Sequence, residues 1–186
     1  MVTKEYFRGN KVSKGLEVTK EDLDDIVKKC SYVSVSEADK NLVDDNGIVG
    51  VIMGDIDNIL ADVAGEAINK MVVNPDCWFV NKSFMDKNYK DLDNPETRFT
   101  FGEAVELLKL GYKVARIGWN GKNMFLFLVP GSTFKVSRPP LLGIYPEGTE
   151  VSYQPHIDMK TAQGTVVPWL ASQSDVLAED WVIVKS

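Results

Sequence analysis

Residues 98–186 begin with a capped helix and continue as short apolar segments separated by turns, and this succession constrains the fold more than any other feature of the chain. Thr100 and Glu103 have the spacing of a capping box, in which each side chain accepts a hydrogen bond from a backbone N–H of the first turn. Gly111 supplies the left-handed residue that commonly follows the last turn of a helix. The pattern therefore predicts a helix between these two signals.

The segments after this helix predict antiparallel strands. Residues 112–119 and 124–129 are interpreted as two strands, with a turn at residues 118–121. The second segment is continuously apolar, which is typical of a strand covered on both faces, and a partner subunit is one candidate for the second cover. Residues 150–162 predict one strand, which a tight turn joins to residues 165–169 as a hairpin.

The end of the chain adds a short helix and a closing strand. Ser172 begins a second capping pattern, with Asp175 three residues later, and residues 181–184 are apolar enough to form a strand. Residues 98–186 are therefore predicted to form an α+β domain with an antiparallel sheet, one N-terminal helix and one short late helix.

Residues 1–97 carry weaker signals and are predicted to form a mainly helical domain. Thr19 and Asp22 have capping-box spacing, and Ser36 could begin a short turn over residues 36–39. Apolar residues that recur from 48 to 72 suit a long amphipathic helix. Residues 77–80 could form a short strand, and residues 81–95 are interpreted as a loop or linker.

The distribution of charged residues also differs between residues 1–97 and residues 98–186. The whole chain has a formal net charge of −6; residues 1–97 carry 12 basic and 19 acidic side chains, and residues 98–186 carry nine and eight. An acidic chain without a basic block is a poor nucleic-acid binder, because neutralisation of phosphates supplies most of that affinity. The sequence also lacks a secretion signal and any apolar stretch of ~20 residues, so a cytosolic protein without a membrane segment is expected.

The residues that could support catalysis or metal binding are few. His156 is the single histidine and shares a strand face with Asp158, but the sequence indicates no third metal ligand. Cys30 and Cys77 suggest neither a disulfide framework nor a closed zinc site. We therefore expect no catalytic residue, no metal and no cofactor. The carboxylates on the polar face of the predicted long helix are interpreted as a solvated surface: Asp55, Asp57, Asp62 and Glu66.

A nucleotide pocket suits the residue types of the second half better. The flat faces of Trp119 and Trp181 could stack on a base, which is worth roughly 1–3 kcal/mol per base. The Arg116 guanidinium could hold a phosphate, or it could simply pair with a carboxylate. Asn120 and Asp180 could bind ribose hydroxyls or base edges.

Residues 99–184 resemble the Thoeris anti-defense 2 family, small phage proteins that sequester immune signalling nucleotides. The resemblance lies in four blocks in the expected order and spacing, residues 99–104, 115–122, 155–162 and 167–173, followed by Asp175 and residues 177–181. Residues 1–97 have no counterpart in it.

The resemblance implies a nucleotide sponge without enzymatic activity. Members of the family bind cyclic ADP-ribose-type signals, notably glycocyclic isomers, without cleaving them, so that the Thoeris effector is not activated. They act in the cytoplasm of the infected bacterial host and form homotetramers, and some also bind cyclic dinucleotides at a separate site. By this similarity the contact residues are Trp119, Asn120, Asp180 and Trp181. Arg116 as phosphate partner is an inference from its chemistry alone.

Two other functions stay open on the sequence. The chain could be a phage accessory or virion-associated module that binds a protein and no nucleotide. It could also be a nucleotide hydrolase that uses His156 and Asp158. The first predicts a protein partner without a ligand, and the second predicts metal-dependent turnover.

Overall fold

The protein, seen here as a computed structural model, is described over residues 1–30, 33–36, 43–54, 56–65 and 77–185. Its contacts divide it into two compact units, residues 1–97 (the N-terminal unit) and residues 98–186 (the C-terminal unit). Short helices accompany sheets in both units, and every pairing between named strands is antiparallel. The predicted α+β class is confirmed.

The N-terminal unit is built around a five-stranded sheet with the strand order β4-β3-β2-β1-β5. Its elements are β1 (Val2–Arg8), β2 (Lys11–Thr19), α1 (Lys20–Lys29), β3 (Ile48–Gly54), α2 (Ile56–Ala64), β4 (Cys77–Asn81), α3 (Lys82–Asn88) and β5 (Lys90–Asp91). The prediction that residues 1–97 are mainly helical is therefore wrong. The capping box that begins α1 is confirmed, since Thr19 and Asp22 accept from each other's backbone N–H.

Charged side chains explain why the sequence does not indicate strands at β1 and β2. The Lys4 ammonium lies 3.0 Å from a Glu17 carboxylate oxygen and 2.9 Å from an Asp91 oxygen, so ion pairs take positions where a half-buried strand usually shows apolar residues. The two strands are joined through Gly9, whose φ of 67° suits a tight connection. A period-2 search for apolar residues misses such a hairpin.

The long helix predicted over residues 48–72 is also wrong, because its first part is a strand buried on both faces. Five consecutive residues of β3, 49–53, are buried. Ile52 belongs to a core cluster with residues of α1 and α2, whereas Val51 and Met53 pack in a second cluster with Tyr6. A strand covered on both faces reads as a continuous apolar run, which periodicity alone does not distinguish from a helix. Residues 66–72 and 37–39 of these predictions lie outside the described residues.

The end of the N-terminal unit is more ordered than predicted. The short strand expected at residues 77–80 is confirmed as β4, but residues 81–95, predicted to be a loop or linker, contain α3 and β5. The Asn81 side chain begins α3 by accepting from the Phe84 N–H at 2.9 Å. Where β3 passes β4, Gly50 leaves room for the Phe79 ring and the Val80 carbonyl, which a Cβ at this position would overlap.

The C-terminal unit contains a five-stranded sheet with the order β11-β10-β7-β6-β12 and a two-stranded sheet, β8-β9. Its elements are α4 (Phe101–Lys109), β6 (Val114–Arg116), β7 (Phe125–Val129), β8 (Ser132–Lys135), β9 (Glu150–Tyr153), β10 (His156–Lys160), β11 (Val166–Pro168), α5 (Gln173–Val176) and β12 (Trp181–Ile183). Helix α4 contacts β6, β7 and β12.

Both predicted helices of this unit are confirmed where their capping boxes place them. The Thr100 N–H donates to a Glu103 carboxylate oxygen at 2.8 Å, and Gly111 follows α4 with a φ of 91°. Residues 150–162, by contrast, form two strands in different sheets instead of one. Pro155 lies between them and has no N–H to continue a ladder, which explains the break.

Strand β7 lies where the apolar segment 124–129 predicts it, but in the single chain only Leu126 of its five residues is fully buried. Phe125 and Phe127 are half-buried, and the ammonium groups of Lys113 and Lys160 lie 5.3 and 5.6 Å from the Phe125 ring centre.

The longest helix in the described ranges, α1, has ten residues, whereas a helix that crosses a bilayer needs about 20.

Candidate functional site

Strand pairing brings the predicted site residues together. Strands β6 and β12 are antiparallel neighbours with Arg116 opposite Trp181, and Asp180 directly precedes β12. Trp119 and Asn120 lie in the turn that follows β6. Four of the five predicted residues thereby share contacts, and Asn120 is exposed beside them.

Arg116 pairs with two carboxylates. Its Nε donates to Asp180 Oδ1 at 2.8 Å, and its Nη1 donates to Asp175 Oδ1 at 3.0 Å and to the Ser174 carbonyl at 3.0 Å. The side chain is 18% exposed, and the hydrogen bonds to Asp180 and Asp175 raise the pKa of the guanidinium above its ordinary value. Of the two roles that the sequence left open for Arg116, carboxylate pairing is the one present in this structure.

Asp175 is the residue that sequence reasoning missed. Its Oδ1 accepts from Arg116 and, at 3.3 Å, from the indole Nε1 of Trp119; its Oδ2 accepts from Ser172 N at 3.0 Å and Ser172 Oγ at 2.6 Å. The Ser172–Asp175 spacing was recognisable as a capping box, but nothing in this spacing indicates that Asp175 also binds Arg116 and Trp119. We call Arg116, Trp119, Ser172, Asp175 and Asp180 the Asp175 network.

Burial and hydrogen bonding act in opposite directions on the two carboxyl groups. Burial alone would raise the pKa of the Asp175 carboxyl, but hydrogen bonds from Ser172, Arg116 and Trp119 lower it to about 2. The contact with Arg116 is the main cause that lowers the pKa of Asp180, which also accepts from the Gly118 N–H at 2.9 Å. Both side chains are therefore ionised at neutral pH.

Aromatic rings form the inner side of the site. Trp181 is fully buried, and its ring centre lies 5.7 Å from that of Phe101, 5.6 Å from that of Trp119 and 6.2 Å from that of Trp169. Its indole Nε1 donates to the Asp175 carbonyl at 3.2 Å. Trp119 and Trp169 are half-buried, so parts of these two rings lie at the surface.

His156 and Asp158 lie on β10 and are not members of the Asp175 network. His156 Nε2 lies 3.8 Å from Asp158 Oδ1, and His156 Nδ1 lies 3.0 Å from the Gln154 carbonyl. Asp158 Oδ1 is buried without a hydrogen-bond partner in the described part of the chain. Within that part there is also no group of three or more His, Cys, Asp and Glu that could hold a metal. Asp55 and Glu66 of the predicted acidic face lie outside it.

Comparison with known proteins matches the unit that contains this site. Residues 99–184 match the family model described as Thoeris anti-defense 2-like domain. The chain is also 46% identical over 89 residues to the protein named Thoeris anti-defense 2 from Bacillus phage SP01, which corresponds to 48% of this chain and 98% of the relative. The chain belongs to the Thoeris anti-defense 2 family. All members of the Asp175 network fall within the matched range, and the N-terminal unit lies outside it.

The lowered pKa of Asp175 predicts that the Thoeris anti-defense 2-like domain is labile to acid. A carboxyl with a pKa of about 2 in the folded state and about 3.9 in the unfolded state binds fewer protons when folded. It stabilises the folded state by about 2 kcal/mol above pH 4, and this contribution is lost as the pH falls towards 2. Urea unfolding between pH 6 and pH 2, followed by tryptophan fluorescence, measures it; three of the four Trp residues lie in this domain.

Asp175→Asn supplies the control for the acid prediction. The variant keeps the shape of the side chain but does not titrate, so its stability should depend less steeply on pH than that of the parent. Equal pH dependence in the two proteins would show that Asp175 does not carry the effect.

Proposed function

We propose that this protein is a phage anti-defense protein that binds and sequesters cyclic ADP-ribose-type signalling nucleotides without cleaving them, and so blocks activation of a Thoeris effector in the cytoplasm of the infected host. The observation that carries the proposal is the match of residues 99–184 to the Thoeris anti-defense 2 family, which contains every predicted contact residue. Sequestration requires tight binding and slow release, and no catalytic residue.

The geometry supports contact at the turn after β6. Trp119 is half-buried with its Nε1 bonded to Asp175, so we assign it the stacking role for a base of the ligand. Asn120 is exposed and can donate or accept beside it. The Asp180 side chain is 33% exposed, so its carboxylate can accept from a ribose hydroxyl in addition to its present bonds. We assign supporting roles to Arg116 and to the buried Trp181.

Exposed apolar residues support the proposal that the protein assembles as a homotetramer. Five large apolar side chains in the described part of the C-terminal unit are mostly exposed in the single chain: Leu170 at 90%, Leu177 at 77%, Ile144 at 69%, and Ile117 and Val166 at 55% each. Burial of these side chains against other subunits would remove apolar surface from water and so favour assembly. Native mass spectrometry with a glycocyclic ADP-ribose isomer reports the subunit count and the bound mass together.

A separate cleft supports the proposal that cyclic dinucleotides are a second class of ligand. It has a volume of about 790 Å³ and is lined by Phe134, Lys135, Arg138 and Tyr153 among others, without a carboxylate. The Phe134 and Tyr153 rings pack edge to face, with their centres 5.2 Å apart. A cleft lined by two cations and two aromatic rings suits a ligand with two phosphates and flat bases.

Replacing Trp119 with alanine tests the proposed function. Loss of a stacking partner is worth roughly 1–3 kcal/mol, so affinity for a glycocyclic ADP-ribose isomer should fall about 5- to 150-fold, as measured by calorimetry. Trp78→Ala is the matched control, because Trp78 is 46% exposed and lies in the N-terminal unit; its affinity should equal that of the parent.

The identity of the released ligand separates the three candidate functions. Heating the parent complex should return the same nucleotide unchanged. Release of a cleaved product, lost in His156→Ala, would identify a hydrolase. Absence of nucleotide binding together with a stable protein partner in infected cells would favour the accessory module.

A further inference from the structure

We propose that Asp175 is the positioning residue of the nucleotide site, and that Arg116 acts through it instead of contacting a phosphate. This inference rests on the proposed function for the ligand, but the contacts that carry it are all within the chain. Asp175 is only 8% exposed, so it acts on a ligand through the groups that it holds.

The first step is that one short helix holds both tryptophans of the site. Helix α5 has four residues, and Asp175 is its third. The Asp175 carboxylate accepts from the Trp119 indole, and its backbone carbonyl accepts from the Trp181 indole at 3.2 Å. Since the Ser172 backbone and hydroxyl fix the other carboxylate oxygen, the acceptor that faces Trp119 has a defined direction.

The second step concerns the orientation of Trp119. Its ring meets Trp181 edge to face, with an interplanar angle of 78° and ring centres 5.6 Å apart. A ring held at its Nε1 by a hydrogen bond and against a buried neighbour keeps one orientation. A ligand that stacks on it therefore does not have to order the side chain, which is a known source of affinity.

The third step concerns the charge around Arg116. Its guanidinium is bonded to Asp175 and Asp180, so the cluster of three side chains carries one positive and two negative charges. A net charge of −1 disfavours a phosphate at this position. The bonds of Arg116 to Asp175 and Asp180 instead explain how Arg116 positions Trp119. Asp175 binds the Trp119 indole, and Asp180 accepts from the Gly118 N–H in the turn that carries Trp119. A Cβ on Gly118 would lie only 2.9 Å from this carboxylate.

Indole resonances provide a readout that does not depend on ligand. In ¹H–¹⁵N spectra the Nε1–H signals of Trp119 and Trp181 should shift in Asp175→Asn, whereas that of Trp78 should not. Affinity for a glycocyclic ADP-ribose isomer should fall at least fivefold in the same variant. Val176→Ala changes an exposed neighbour on the same helix and should leave both measurements unchanged. Ser172→Ala removes the hydroxyl's bonds to the far carboxylate oxygen, to the Asp175 N–H and to Ser174 Oγ, but it leaves the bonds from Arg116 and Trp119 to Asp175 in place. It should therefore give a smaller shift of the same signals, and it serves if Asp175→Asn does not fold.

Salt dependence separates positioning from phosphate contact. If Arg116 does not touch a phosphate, Arg116→Gln should weaken binding and shift the Trp119 resonance while the dependence of Kd on salt stays as in the parent. A flatter salt dependence with an unshifted Trp119 resonance would overturn the proposal, and so would a shifted resonance with unchanged affinity. If the parent binds no such nucleotide, the proposed function fails; the indole shifts still decide whether Asp175 positions Trp119.

Discussion

Trp181→Ala is expected to destabilise the C-terminal unit by about 3–5 kcal/mol, the range typical of a buried aromatic side chain truncated to alanine. The side chain is fully buried and lies at the centre of the ring cluster formed with Phe101, Trp119 and Trp169. Its removal leaves a cavity and takes the indole donor away from the Asp175 carbonyl, which keeps the Ala178 N–H at 3.3 Å. Urea unfolding followed by circular dichroism gives the free energy, and hydrogen exchange in β6 and β7 assigns the loss to this unit.

Two further variants define the origin of this loss. Trp181→Phe keeps a ring but removes the Nε1 donor, so about 1–2 kcal/mol is expected. Trp78→Ala makes the same truncation at a side chain that is 46% exposed and should change stability much less. The interpretation would be wrong if Trp181→Ala and Trp78→Ala had similar free energies of unfolding.

Gly50→Ala is expected to destabilise the N-terminal unit by about 3 kcal/mol. The added methyl group would overlap the Phe79 ring and the Val80 carbonyl oxygen, and the carbonyl belongs to a paired strand that cannot move without breaking the β3–β4 ladder. Overpacking of this kind typically costs about 1–3 kcal/mol. Hydrogen exchange in peptides that cover β3 and β4 measures the change locally.

Gly102→Ala is the matched control for this prediction. A Cβ there comes no closer than 4.0 Å to another group, and the residue lies in α4, where alanine is the better helix former. The control should leave exchange in β3 and β4 unchanged. Equal effects of the two substitutions would contradict the packing argument.

The sequence predicts where three helices begin, one in the N-terminal unit and two in the C-terminal unit, because local chemistry marks those points. The capping boxes at Thr19, Thr100 and Ser172 each begin a helix in the structure. The signals that failed are those that tertiary packing overrides. A strand buried on both faces looks like part of a helix in β3, and ion pairs across the sheet remove the apolar alternation of β1 and β2.

The site was predictable as a set of residue types but not as a network. Trp119, Asn120 and Asp180 stand out by chemistry, yet their arrangement depends on the register in which Arg116 faces Trp181, and no local pattern encodes that register. Asp175 was recognisable only as a helix cap. Its second role arises from residues 59 and 56 positions away in the chain, Arg116 and Trp119.

The short length of helix α5 affects the order in which the C-terminal unit folds. A helix of four residues is far below the ~12–15 residues that an isolated helix needs in water, so its own capping box is not sufficient and contacts such as those of Asp175 with Arg116 and Trp119 must stabilise it. The Arg116–Asp180 pair closes a separation of 64 residues, and such distant contacts form late. On the ribosome, a nascent chain therefore cannot complete the Asp175 network until Asp180 has emerged.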